Sequence, residues 1–150
     1  MLLAAIRKAG AESGITQPLS LAASLYLERI RQYEPAEARD YSTETSLLAA
    51  IGKLRARTAP VVVLLDSRGK SFSSEEFAAW IGRQRDSGVQ NLVLSVGPAD
   101  GWSQAAHAGA RLLLSLGPMT LPHELARVVL AEQVYRAFTI LAGHPYHSGH

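Results

Sequence analysis

The sequence predicts an α/β domain built on a mainly parallel sheet with helices on both faces. Three observations carry this. VVVLLD (61–66) and NLVLSV (91–96) are short, nearly continuous apolar runs, as strands are when covered on both sides. Stretches with helical spacing and end signals alternate with such runs along the chain. Three strand ends lead into loops of unusual chemistry, at the edge where open parallel sheets bind ligands. No repeat or low-complexity linker breaks the 150 residues, a usual size for one domain, so 1–150 is read as a single unit.

Residues 2–7 (LLAAIR) read as a first strand and 9–14 as a turn. From Pro18 onward Leu19, Ala22, Ala23, Tyr26, Leu27 and Ile30 recur at helical spacing, giving a helix to about Gln32. Alternation asks for a strand between Pro35 and Tyr41, although EPAEARDY does not demand one. Leu47, Leu48, Ile51 and Leu54 share one face of a helix expected over Thr43–Arg57. After the strand ending at Asp66, Ser67–Lys70 reads as a loop. Ser73 and Glu76 then form a capping-box pattern, with Phe77, Trp80 and Ile81 as the buried stripe and Gly88 as the stop.

The strand over 91–96 runs into GPADG (97–101), a short helix over Trp102–Gly109 and a last strand over 111–115. A long helix follows. Thr120 is its expected N-cap, Pro122 sits in the first turn, Glu124 faces the positive end of the dipole, and Gly143 ends it. Apolar residues from Val128 to Leu141 cover nearly its whole circumference. Such a helix must be buried on more than one side, which in so small a chain calls for a second subunit.

Composition narrows the class. With 47% hydrophobic and 19% charged residues the chain is neither disordered nor fibrous, and no apolar run reaches the ~20 residues that span a bilayer. Zero cysteines exclude disulfides and thiolate chemistry and fit the cytoplasm. A net charge of +2 leaves no basic tail for nucleic acid. Twelve arginines against three lysines suit phosphate and base edges, a bias that a GC-rich genome produces equally well.

Three loops converge at the carboxyl edge: Leu65–Lys70, Gly97–Gly101 and Leu116–Leu121. None is a G-x-G-x-x-G or P-loop, and GPADG taken alone is an ordinary tight turn. Trp102 either stacks on a base or caps the core. Arg68 and Lys70, on a loop beside the presumed pocket, are candidates for phosphate contacts, whereas Arg83 and Arg85 read as a solvated helix face. His123, near a helix N-terminus, is neutral and able to exchange a proton, or merely caps. Glu132 and Arg136 form an i,i+4 ion pair. HPYH (144–147) lacks the further ligands of a metal site, so no metal is expected, and His150 is read as a solvated end.

MTLPHELARVVLAEQVYRAF followed by HPYH closely resembles the C-terminal signature of the RlmH-type ribosomal RNA methyltransferases of the SPOUT superfamily. LLDSRGKSFSSEEFA and VGPADGWS resemble two further family segments, in order, over roughly residues 60–147. The resemblance implies a C-terminal trefoil knot that holds S-adenosylmethionine bent. The implied cofactor contacts are Leu65, Gly97, Leu116, Gly117, Pro118, Met119, Thr120 and Leu121. Where the family usually has a second glycine this chain has Pro98, which removes one backbone N–H.

The same resemblance implies methylation of N3 of a pseudouridine in large-subunit ribosomal RNA, on the assembled ribosome. His147, Tyr146 and His123, in that order, are the candidates for proton handling and base orientation, with Arg136 and Arg127 for base or phosphate contacts. A homodimer would combine one subunit's cofactor with the other's tail. The alternative is a non-catalytic, ribosome- or RNA-associated SPOUT-fold binder whose cofactor site has decayed, and Pro98 is the residue that favours it.

Overall fold

A computed structural model describes residues 1–7, 14 and 16–148; most of the turn expected over 9–14, and His150, lie outside them. Five strands, β1 (Leu2–Ile6), β2 (Glu37–Tyr41), β3 (Val61–Ser71), β4 (Leu92–Val96) and β5 (Leu112–Ser115), form one parallel sheet in the order β2-β1-β4-β3-β5. The helices are α1 (Thr16–Ile30), α2 (Glu44–Gly52), α3 (Ser74–Asp86), α4 (Gln104–Gly109) and α5 (His123–Leu141), followed by a 3-10 turn at Pro145–His147. Among the described residues no helix is long and apolar enough to cross a membrane.

Period-two alternation sorts the strand side chains into two cores. Ala5, Val63, Leu92, Leu94, Val96 and Leu114 face α1, α3 and α5. Leu2, Ala4, Ile6, Val62, Leu64 and Val93 face α2 and α4, where Trp102 and Ala106 complete the layer. Strands buried on both faces are therefore continuously apolar. Each fully buried Leu or Val contributes about 1.5–3 kcal/mol relative to exposure.

Segment 35–41 is a strand for a different reason. β2 lies at the sheet edge, where its backbone pairs with β1 from Glu37 opposite Leu2 to Tyr41 opposite Ile6, while its side chains stay largely exposed. Backbone pairing alone makes the strand, so polar side chains suffice. α2 keeps the expected start, capped reciprocally by Thr43 and Ser46, but ends at Gly52 rather than near Arg57. Ser73 and Glu76 form the expected capping box of α3.

Two expectations are corrected. Ser67–Lys70 is not a free loop: β3 runs on to Ser71, with a register break between Leu65 and Lys70 before Lys70 and Ser71 pair with Leu114 and Ser115. Gly69 makes this possible, since a Cβ there would lie 2.5 Å from the Leu113 carbonyl carbon. And Thr120 does not cap α5. Pro122 holds the N-cap position with no side-chain cap bond, so the helix starts at His123.

α5 packs against both α1 and α3, so much of the cover expected from a second subunit comes from the chain itself. None of its residues is fully exposed, but Leu125, Val128 and Val129 are only half-buried. Because β5 lies at the edge beside β3, the segment leading to α5 must return across the carboxyl ends of β3 and β4.

Candidate functional site

That return closes a cavity of about 760 Å³ at the carboxyl ends of β3, β4 and β5. Its wall comes from Leu65–Arg68, Val96–Trp102 and the segment between Leu114 and Ala126. Of the residues expected to hold a cofactor, Leu65, Gly97, Leu116, Gly117, Met119, Thr120 and Leu121 stand on this wall, and Pro118 does not. Met119 is 80% exposed, an unusual position for a long apolar side chain unless something covers it.

Local chemistry shapes each loop. Gly117 has φ +123°, a backbone that other residues avoid, and the Ser115 hydroxyl bonds both its N–H (3.1 Å) and its carbonyl (3.2 Å). Gly101, at φ +82°, donates its N–H to the Pro98 carbonyl at 3.0 Å, so Pro98 sits in an intact turn. Gly97 is required by a neighbour: a Cβ would lie 2.6 Å from the Trp102 ring. Trp102 is buried and donates Nε1–H to the Leu65 carbonyl at 2.8 Å. It caps the core and cannot stack on a base.

Beside Leu65 lies a group that the motifs did not single out. The Asp66 carboxylate is 6% exposed and accepts from the Arg68 backbone N–H (2.9 Å), Nε (3.1 Å) and Nη2 (3.1 Å), while His107 Nε2 lies 2.9 Å away. The Arg68 side chain, its backbone N–H and His107 hold this carboxyl far below the usual carboxylate range, against the opposing effect of burial. The signal was visible as the acid closing VVVLLD; its partner on α4, His107, had none.

His123 stands on the cavity wall, its Nδ1 3.4 Å from Glu124 Oε1. Arg7 and Arg127 each bridge Glu124 and Asp40, with Arg127 2.8 Å from Asp40, and this ring of charges ties the start of α5 to β1 and β2. The tail residues are elsewhere. Tyr146 donates its hydroxyl hydrogen to Glu132 at 3.1 Å, lies under the Arg136 guanidinium at 5.1 Å, and meets the Tyr135 ring edge-on at 4.7 Å. Glu132 also takes two bonds from Arg136, at 2.7 and 2.9 Å.

Burial, the Tyr26 hydroxyl and the charge of Glu132 push the Tyr146 phenol well above its ordinary value, which makes it a hydrogen-bond donor and not a base. The structure thus divides the four catalytic candidates: His123 lies at the cavity, and Arg136, Tyr146 and His147 lie about 20 Å further along α5 at its 1.5 Å rise per residue. His123 Nε2 and His147 Nδ1 are both shielded from solvent without a hydrogen-bond partner. Buried polar atoms of this kind are rare unless a missing surface or ligand satisfies them.

Comparison with known proteins sets this geometry in a family. The family described as "Predicted SPOUT methyltransferase" matches residues 13–147. The chain is 52% identical over 128 residues to the ribosomal RNA large subunit methyltransferase H of Koribacter versatilis (strain Ellin345), covering 83% of this chain and 85% of the relative. It is 49% identical over 123 residues to the protein of the same name from Rhizobium meliloti (strain 1021), covering 81% and 77%. Its fold matches the SpoU methyltransferase AviRb of Streptomyces viridochromogenes, solved with AdoMet, at a TM-score of 0.50 and 14% identity, over 91% of this chain and 57% of that one. With nearly its whole length matched at such identity, the chain belongs to the SPOUT methyltransferases, in the branch of ribosomal RNA large subunit methyltransferase H.

Proposed function

We propose that the protein transfers a methyl group from S-adenosylmethionine to N3 of a pseudouridine in large-subunit ribosomal RNA, acting as a homodimer on the assembled ribosome in the cytoplasm. The observation that carries this is the cavity. Its volume of about 760 Å³ falls within the ~300–1,000 Å³ of small-molecule sites. Its wall offers apolar side chains at Leu65, Leu116, Met119 and Leu121 for an adenine, and backbone at Gly97, Gly101 and Gly117 that approaches without side chains. These residues fit the cofactor. Pro98 does not spoil the fit, because the missing N–H belongs to a residue already fixed in a turn by its carbonyl. A C-terminal knot is part of this reading, supported by the return of segment 116–122 across the ends of β3 and β4.

When bound, S-adenosylmethionine supplies a methyl on a sulfonium: the electron pair left on N3 as its proton departs forms the N–C bond, and the C–S pair stays with sulfur. The chain's work is to exclude water, align the base and manage the proton. His123 holds the cavity side of that task. Tyr146, its hydroxyl hydrogen given to Glu132, and Arg136, set by the same carboxylate, orient the base, with His147 as proton acceptor.

One chain cannot bring these together, because its tail is docked on its own α5 away from its own cavity. A second copy supplies the tail. Leu21 (66% exposed) and Leu25 (52%) on α1, with half-buried Leu125, Val128 and Val129 on α5, supply apolar surface on two helices already packed together.

The test is transfer of labelled methyl to ribosomes that lack the modification, followed by mass mapping of the nucleoside. The expected product is a single N3-methylpseudouridine. Calorimetry should show S-adenosylmethionine binding in the micromolar range, near −8 kcal/mol. Ribosome binding with no cofactor binding at all would instead leave the decayed-site binder standing.

A further inference from the structure

We infer that the excursion of β3 between Leu65 and Lys70 is an RNA-phosphate contact strip, with Arg68 at the cavity mouth and Lys70 next to it. The inference rests on the proposed RNA substrate and deepens it by naming where the strand is held. Three observations lead there.

First, Arg68 is 74% exposed yet its guanidinium is not free to wander. Nε and Nη2 are both committed to Asp66, each at 3.1 Å. A surface arginine held so firmly by a buried acid, itself anchored by His107, has lost its rotamer entropy before any ligand arrives. Nη1 has no partner among the described bonds, and it is left to face an incoming anion. A planar, pre-set guanidinium suits phosphate geometry.

Second, Lys70 stands close by. Leu65 and Lys70 both pair with Leu114, so residues 66–69 make a short excursion that returns Lys70 to the level of Leu65 beside the cavity mouth. Its Nζ sits 4.6 Å from the centroid of the Phe72 ring. Gly69 lets this strand lie against the β5 backbone and so fixes where the cations stand.

Third, the nearby carboxylates leave positive charge at the mouth. Asp66 offsets Arg68 alone, and no ion pair to Lys70 occurs among the described residues. Glu76 accepts the Ser73 N–H at 2.8 Å in the α3 cap. Glu75 is turned toward its own backbone and Ser73, with His147 and Arg136 of the tail cluster acting on it. An RNA strand that delivers a base to this site has its phosphates where Arg68 and Lys70 are. The carboxylate of the methionine arm is the other anion at hand; Arg68 is on the cavity wall and Lys70 is not, so Lys70 separates the two.

The test measures ribosome binding across a salt series, and cofactor binding by calorimetry, for Arg68→Ala, Lys70→Ala and the double variant. Arg83→Ala/Arg85→Ala serves as a charge-matched control on the exposed face of α3. Each strip variant should weaken ribosome binding several-fold and flatten the log–log salt slope by about 0.7–0.9 for every phosphate that is no longer neutralised, and Lys70→Ala, which lies off the cavity wall, should keep the wild-type cofactor affinity. The control should leave slope and affinity as they are. Unchanged slopes in the double variant, slopes equally flattened in the control, or weakened cofactor binding in Lys70→Ala would each overturn the inference. Failure of the wild-type protein to bind ribosomes would instead sink the proposed function, and the two outcomes are separable.

Discussion

Asp66 shows how one residue joins stability to the site. Its carboxylate accepts three bonds from Arg68 and has His107 within reach, all at the rim of the cavity. Replacing it by Asn removes the charge while keeping the shape, and should cost about 1–2 kcal/mol at neutral pH, discounted because Arg68 is solvated. The pH dependence has a definite sign. The folded-state value is depressed, so the stabilisation is complete above the unfolded Asp value near 4 and fades as pH falls below it toward the folded value. Denaturant melts of wild type and Asp66→Asn should therefore differ by a constant amount from about pH 5 to 7 and converge under acid. A gap that keeps its full neutral-pH size down to pH 2 would show that packing, not charge, is what the substitution removes.

The sequence held only half of this residue's story. The acid at the end of VVVLLD marked a strand terminus, but its partners were set by β3 running on past Asp66 and by where α4 lands. Local pattern carries neither.

Among elements, what could be read from sequence was whatever a local rule decides. The capping box at Ser73, the helix start at Thr43, the apolar runs of β3 and β4 and the glycine after α5 all depend on neighbours in the chain. β2 escaped because its backbone pairing with β1, not its side chains, makes it a strand. Thr120 misled because the loop before α5 is shaped by the cavity, leaving Pro122 as an uncapped start. The extension of β3 was hidden because Gly69 reads as a loop residue until the Leu113 backbone is beside it.

Two glycines separate fold from site at this scale. In Gly69→Ala the new methyl would meet Leu113 backbone at 2.5 Å, which cannot swing aside. In Gly97→Ala it would meet the Trp102 indole at 2.6 Å, a ring that can move by giving up its bond to Leu65. Overpacking typically costs ~1–3 kcal/mol. Gly69→Ala should sit at the top of that range and lower Tm by roughly 6 °C or more for a chain of this size. Gly97→Ala should unfold later but lose more cofactor affinity, since its displaced ring lines the cavity. Melting and calorimetry should thus rank the pair in opposite orders; the same order in both would mean that the cavity is not shaped by Trp102.

For the whole molecule, the question is why the proposed activity calls for a second copy of a chain with its own cavity. The distance along α5 answers it: the cavity contacts the first turn, whereas Arg136, Tyr146 and the docked tail occupy the last turns. Tyr146 is fixed by Glu132, Arg136 and Tyr135 of its own helix, so the tail is presented as a rigid patch and does not fold back to its own site. In the proposed homodimer, two-fold symmetry would pair each cavity with the other chain's patch. Complementation tests this directly. Gly97→Ala spoils a cavity and leaves the tail; His147→Ala spoils a tail and leaves the cavity. Each homodimer should be inactive. Co-expressed in equal amounts, they should recover about one quarter of wild-type methyl transfer, because half of random dimers are mixed and each mixed dimer holds one intact cavity facing one intact tail. If the tail served its own cavity, every site in every mixture would carry a defect and activity would stay at the level of the single variants. A third variant, Leu25→Glu, should prevent the recovery by splitting the dimer while each monomer still binds cofactor, which light scattering and calorimetry read independently of turnover.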